Sequence, residues 1–165
     1  MSIQVRAATS ADGAGIAAVQ LTTWRATYGE WLAGHVEALD LARTADNWSV
    51  AAAARTGRVA VAVLDDRIVG YAHSGPPEDP PDTADHELYA LYVLPQTQGA
   101  GAGSALVADA FAHAARGTWV VWALEAYAPA RRFYERHGFQ LDLDRTHLWR
   151  GLTQVRYVAA APPAG

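Results

Sequence analysis

The chain has no cysteine and no lysine. Without cysteine it forms no disulfide, offers no thiolate nucleophile and builds no sulfur-based metal site. Without lysine it cannot complete a Walker-type phosphate loop, which ends in Gly-Lys-Ser/Thr. All 13 basic residues are Arg, and 17 acidic residues outweigh them, for a net charge of -4 and a pI near 5.8. A nucleic-acid surface needs clustered positive charge, so no nucleic-acid partner is expected. Apolar runs never approach 18 residues, and Met1-Ser-Ile-Gln-Val-Arg6 has no apolar h-region. Neither a membrane span nor a secretory signal is expected, and the protein is expected in the cytoplasm. The six histidines are scattered with no His-x-x-x-His spacing, so no metal site is expected.

What is present fits one α/β domain over residues 1–160, with 161–165 as a frayed tail. Ile3 to Ala8 reads as a strand closed by Thr9-Ser10, either of which caps a helix. The helix that follows carries Leu21, Trp24 and Tyr28 on one stripe, and Gly29 and Gly34 break it. A second helical region, interrupted or bent, runs from about Val36 to Arg55. Arg58–Leu64 and Arg67–His73 form a hairpin around Asp65-Asp66. Gly75 to Asp85 holds four prolines and reads as an exposed loop. His86 to Leu94 is the fourth strand. Thr118 to Leu124 is continuously apolar, as a strand covered on both faces tends to be. Pro129 opens a helix that Gly138 ends. Two last strands are drawn at Phe139–Asp144 and Gln154–Ala159.

The most informative stretch is Pro95-Gln-Thr-Gln-Gly-Ala-Gly-Ala-Gly-Ser-Ala-Leu106, a glycine-rich turn between strand and helix. Gly99, Gly101 and Gly103 let backbone N–H groups approach a ligand closely. The helix that follows adds its first N–H donors and the positive end of its dipole. Such a turn suits phosphate or pyrophosphate. The spacing does not match the dinucleotide fingerprint Gly-x-Gly-x-x-Gly. A second segment, Ala130-Arg-Arg-Phe-Tyr-Glu-Arg-His-Gly-Phe139, stands about 30 residues further on.

Gln98-x-x-Gly101-x-Gly103 resembles the acetyl-CoA signature Arg/Gln-x-x-Gly-x-Gly/Ala of the GNAT superfamily of N-acetyltransferases. Ala130 to Phe139 is similar to that superfamily's Ala-x-x-Phe-Tyr-x-x-x-Gly-Phe segment. Asp12 and Trp24-Arg25-Ala-x-Tyr28 are similar, more loosely, to one branch of it. The resemblance implies a mixed sheet of about seven strands, helices on both faces, and a V-shaped gap between strands four and five. It implies that the backbone of Leu91, Tyr92 and Val93 takes the pantetheine arm. Gln98, Gly99, Ala100, Gly101, Ala102, Gly103 and Ser104 match the turn that takes the pyrophosphate. Tyr134 matches the tyrosine that protonates the leaving thiolate. Tyr127 stands where many members have Asn beside the cofactor.

Acyl transfer to an amine also needs a polarised carbonyl and a base. A backbone N–H of Leu91 or Val93 is the expected oxyanion donor. Glu87 is the first candidate for the base, sharing a strand face with Tyr89, Leu91 and Val93. Glu125 and His73 are its rivals. Trp24, Tyr28 and Trp31 are candidate walls for the acceptor, and aromatic walls suit a cationic amine. The expected reaction moves acetyl from acetyl-CoA to a small-molecule or peptide amine, without metal. The alternatives are a non-catalytic CoA-binding or sensing domain, and a different phosphate-ligand protein. A homodimer is compatible with this reading.

Overall fold

The computed structural model describes residues 2–54, 56–78 and 83–160. The expected helix end at Arg55, part of the proline-rich loop (79–82) and the expected frayed tail (161–165) lie outside the described residues. Seven strands make one mixed sheet: β1 (Gln4–Ala7), β2 (Arg58–Leu64), β3 (Arg67–Gly75), β4 (His86–Val93), β5 (Thr118–Leu124), β6 (Gln140–Trp149) and β7 (Leu152–Ala160). Their order across the sheet is β1-β2-β3-β4-β5-β7-β6. The described residues also form five α-helices: α1 (Gly13–Tyr28), α2 (Ala33–Glu37), α3 (Leu41–Ala53), α4 (Ala102–Ala112) and α5 (Ala128–Arg136). Among the described residues no helix is long and apolar enough to cross a membrane.

The chain divides into two compact units, Met1–His73 with Ala90–Ala110, and Ser74–Tyr89 with Phe111–Gly165. In the first, Ala8, Ile16, Val19, Val59, Val61 and Tyr71 form a buried cluster. Trp48, Ala51 and Ala52 of α3 pack against it, as do Ala90, Tyr92 and Leu94. β1 runs antiparallel to β2, from Gln4↔Val63 to Ala7↔Ala60. The entry to α1 is pinned by Asp12, whose carboxylate takes both guanidinium arms of Arg6 at 2.8 Å and the Thr9 N–H at 2.7 Å. Asp65 and Asp66 turn the β2–β3 hairpin with φ of 49° and 61°.

The expected second helical region is indeed interrupted. Asp40 stops the backbone in an extended conformation and starts α3 afresh by accepting the Arg43 N–H at 2.6 Å. Gly34 does not act as the expected break, because it lies inside α2. With nothing within 4 Å of where its Cβ would stand, it is simply an exposed helical position.

In the second unit β5 is an interior strand. It pairs parallel with β4 over His86↔Trp119, Glu87↔Val120 and Leu88↔Val121. On its other edge it pairs antiparallel with β7, from Thr118↔Ala160 to Leu124↔Gln154. Trp119, Val120, Val121 and Tyr157 are fully buried there, which is why Thr118–Leu124 reads as an unbroken apolar run. Tyr89 to Val93 continue β4 beyond its pairing with β5.

The last two strands are longer than the sequence suggests. β6 continues to Trp149 and β7 begins at Leu152, joined by a turn with φ of 51° at Arg150 and 81° at Gly151. Between Asp142 and Thr146 the register shifts, leaving Leu143, Asp144 and Arg145 as a bulge. The bulge breaks the alternation that sequence reading relies on, so the expected strand stops at Asp144.

Candidate active site

The glycine turn belongs to the first unit. Leu94 closes β4 by donating its N–H to the Val69 carbonyl at 2.8 Å, and Pro95–Thr97 form one tight helical turn. Gly99 and Gly101 then adopt φ of 85° and 89°. This left-handed backbone strains most L side chains, so both positions favour glycine. A Cβ at either would meet nothing within 4 Å. The space it would fill is therefore open for a ligand group to lie against the backbone. Ala105 makes the first helical bond, to the Gly101 carbonyl at 3.0 Å. The N–H groups of Ala102, Gly103 and Ser104 precede it at the positive end of α4. Gly103 thus contributes from the first helical turn, not from the loop as the sequence suggests. Ala102 is buried, while Gln98, Ala100 and Ser104 are exposed. The Gln98 amide donates to the Val93 carbonyl at 3.2 Å, tying the turn to the end of β4.

Sequence reading missed one part of this region. A Cβ on Gly70 of β3 would stand 2.9 Å from the Tyr92 carbonyl oxygen and 3.1 Å from Val93 Cγ2. A glycine inside a strand is the mark of such close approach. Gly70 lets β3 lie tightly against the end of β4.

The same unit gathers the aromatic residues expected to face the acceptor. Trp24 meets Tyr28 edge-on at 5.4 Å and Tyr92 at 6.3 Å. The hydroxyls of Tyr28 and Tyr92 share a hydrogen bond of 2.9 Å. Tyr71 lies 5.7 Å from Tyr92, Trp48 4.8 Å from Tyr71, and His73 5.6 Å from Trp48. Burial pushes the His73 imidazole below its ordinary pKa, so it is neutral near pH 7. Trp31 is 38% exposed.

The second unit holds Glu87, Tyr127 and Tyr134. Glu87 is 7% exposed, and its carboxylate accepts the Glu78 N–H at 2.8 Å. Tyr89, two residues along the same strand face, donates its hydroxyl to the Pro76 carbonyl. Burial, helped by the charges of Glu78 and Glu87, raises the Tyr89 phenol to about 12, so it stays a donor. Together these two side chains fix the segment at Pro76 to Glu78. Glu125 is exposed just past β5.

Tyr127 caps α5, and its carbonyl takes the Arg131 N–H at 3.4 Å. Pro129 stands in the first turn, and Gly138, with φ of 85°, ends the segment. Tyr134 is 7% exposed, its ring packed on Phe139 at 5.6 Å and Tyr157 at 6.3 Å. The phenol of Tyr157 is a further feature that sequence reading missed. It accepts Arg131 Nε–H at 3.0 Å and donates to the Glu135 carboxylate at 2.8 Å. Its partners lie more than 20 residues away in sequence, and no local pattern announces them. Among the described residues no group of three or more His, Cys, Asp or Glu side chains is placed to hold a metal.

A family model described as an acetyltransferase (GNAT) domain matches residues 55–141, just over half of the chain. The "Uncharacterized N-acetyltransferase YuaI" of Bacillus subtilis is 32% identical over 109 residues, a match spanning 64% of this chain and 61% of that protein's length. The "Probable N-acetyltransferase Rv2775" of Mycobacterium tuberculosis is 27% identical over 98% of this chain and 97% of its own. The structure of YncA from Salmonella typhimurium, solved with its cofactor acetyl-CoA, superposes with a TM-score of 0.73. It is 18% identical, covering all of this chain and 97% of that one. The glycine turn and the Phe133-Tyr134 helix both fall within the matched residues, and the chain belongs to the GNAT family of acetyltransferases.

Proposed function

We propose that the protein moves an acetyl group from acetyl-CoA to a primary amine by direct attack in a ternary complex. The observation that carries this reading is the left-handed pair Gly99 and Gly101, opening α4 one tight turn after β4 with room above their backbone. Fixed N–H donors at a helix start are what a pyrophosphate needs. That YncA was solved with acetyl-CoA supports the same ligand here.

Acetyl-CoA supplies an activated thioester. In our reading Gln98 to Ser104 hold its pyrophosphate, and the backbone of Leu91, Tyr92 and Val93 lines its pantetheine arm. Tyr127 is a further neighbour of the cofactor. Leu91 and Val93 have the same parity, so their N–H groups point to one edge of β4, where either polarises the thioester carbonyl. Glu87 takes a proton from the substrate ammonium group, directly or through water, to give the neutral amine that attacks. Tyr134 gives its proton to the leaving thiolate. Trp24 and Tyr28 form the acceptor wall, with ring faces that suit a cation or an apolar amine.

The test is turnover of acetyl-CoA with aminoglycosides, polyamines, amino acids and peptides, reading free thiol. Amine-dependent thiol release is the expected result. Tight CoA binding with no turnover on any amine would favour a non-catalytic CoA-binding domain. Absence of CoA binding would overturn both.

A further inference from the structure

Tyr157 is 0% exposed, in the middle of β7, opposite Val121 of β5 and Leu141 of β6. A phenylalanine would fill that place in the core equally well. Burying a hydroxyl is costly unless it is hydrogen-bonded. Here it is bonded twice, and both partners belong to α5. Arg131 and Glu135 are four residues apart, hence on one face of the helix, and Tyr134 sits on the adjoining stripe between them. Arg131 carries a second anchor, its Nη1–H donating to the Glu125 carbonyl at 3.1 Å. Burial raises the Tyr157 pKa, so its proton remains to serve Glu135.

We propose that Tyr157 is a positioning residue for acetyl transfer, its hydroxyl fixing the rotation of α5 and so the place of the Tyr134 phenol. The proposal rests on Tyr134 being the acid. Rotation of a helix is a sensitive coordinate for such a group. A tyrosine hydroxyl stands roughly 9 Å from its helix axis, so a turn of about 10° carries it about 1.5 Å. Displacements of that size are enough to cost roughly 10²-fold in rate. Packing against Phe139 and Tyr157 holds the Tyr134 ring but sets such an angle only softly, because ring pairs tolerate a broad range of tilts. Two charge-assisted hydrogen bonds to one buried hydroxyl do.

Tyr157→Phe tests this, alongside Tyr134→Phe and the double variant. Tyr157→Phe is expected to lower kcat roughly tenfold or more with KM for acetyl-CoA nearly unchanged. In the Tyr134→Phe background it is expected to lower kcat little further, because it acts through that phenol. Glu135→Gln keeps an acceptor oxygen and should retain most turnover, whereas Glu135→Ala should behave as Tyr157→Phe does. Glu135 is exposed, so this pair decides the matter even if Tyr157→Phe fails to fold. Independent, multiplying losses from Tyr134→Phe and Tyr157→Phe would make Tyr157 merely structural. Parental kcat in Tyr157→Phe and Glu135→Ala, with Tyr134→Phe slow, would overturn the positioning role alone. Parental kcat in Tyr134→Phe would overturn the acid assignment itself, and this proposal with it.

Discussion

Tyr28 on α1 and Tyr92 on β4 share a single hydrogen bond, hydroxyl to hydroxyl, at 2.9 Å. It joins the helix that carries the proposed acceptor wall to the strand proposed to line the pantetheine arm. Tyr28→Phe and Tyr92→Phe each remove it while keeping both rings. Each is expected to cost about 1 kcal/mol in urea unfolding. The double variant should cost less than the two together by a similar amount, as contacting residues do. Strict additivity would mean that the two hydroxyls stabilise the fold independently.

Gly101→Asp places a strained left-handed residue and a negative charge at the proposed pyrophosphate position. Each effect opposes binding, and together they should exceed about 1.4 kcal/mol, which is tenfold in Kd. Calorimetric titration of the folded variant with CoA measures it. CoA affinity equal to the parent's would remove the glycine turn from the binding site.

Glu87→Gln keeps an oxygen to accept the Glu78 N–H, so the local structure should hold. As a base, Glu87 sets the saturated rate and the acidic limb of the pH profile. As a mere attractor of cations, it sets KM for the amine. We expect a fall in kcat of roughly 10²-fold with acetyl-CoA binding intact. A parental pH profile and kcat would leave Glu87 as the anchor of Pro76 to Glu78, and direct attention to Glu125 or His73.

Asp12 titrates far below an ordinary carboxylate, first because of Arg6, then through the Thr9 N–H and hydroxyl. A lowered folded-state pKa means that ionised Asp12 stabilises the fold above its unfolded value, near about 4. That contribution is lost as the pH falls from there toward the folded value. Arg6 is half exposed, so solvent screens the pair, and Asp12→Asn should cost on the order of 1 kcal/mol at pH 7. Urea unfolding of parent and variant should converge as the pH drops below about 4. A gap that stays constant with pH would show that shape, not charge, is what Asp12 supplies.

Much of this architecture is legible because its signals are local. Pro129 and Gly138 frame α5, and Asp65-Asp66 marks the hairpin. The burial of β5 on both faces is written in its unbroken apolar run. Gly99 and Gly101 mark their own backbone conformation. What stays hidden depends on distant partners or broken periods. Tyr157 reads as one more core aromatic until Arg131 and Glu135 arrive from another element. The interruption before α3 is set by one Asp40 cap within an otherwise helical composition. The second half of β6 follows a bulge, so its side chains change faces without warning.

That bulge has a consequence for how the protein behaves among its own copies. β6 is the outermost strand on its side of the sheet, ten residues long, and it exposes Leu143 and Leu148. A long flat outer strand with apolar side chains is a template for uncontrolled strand addition. Leu143, Asp144 and Arg145 interrupt the row of N–H and C=O groups midway and place two charges where an incoming strand would need to pair. A ten-residue edge becomes two short ones, each with less continuous backbone for an incoming strand to pair with.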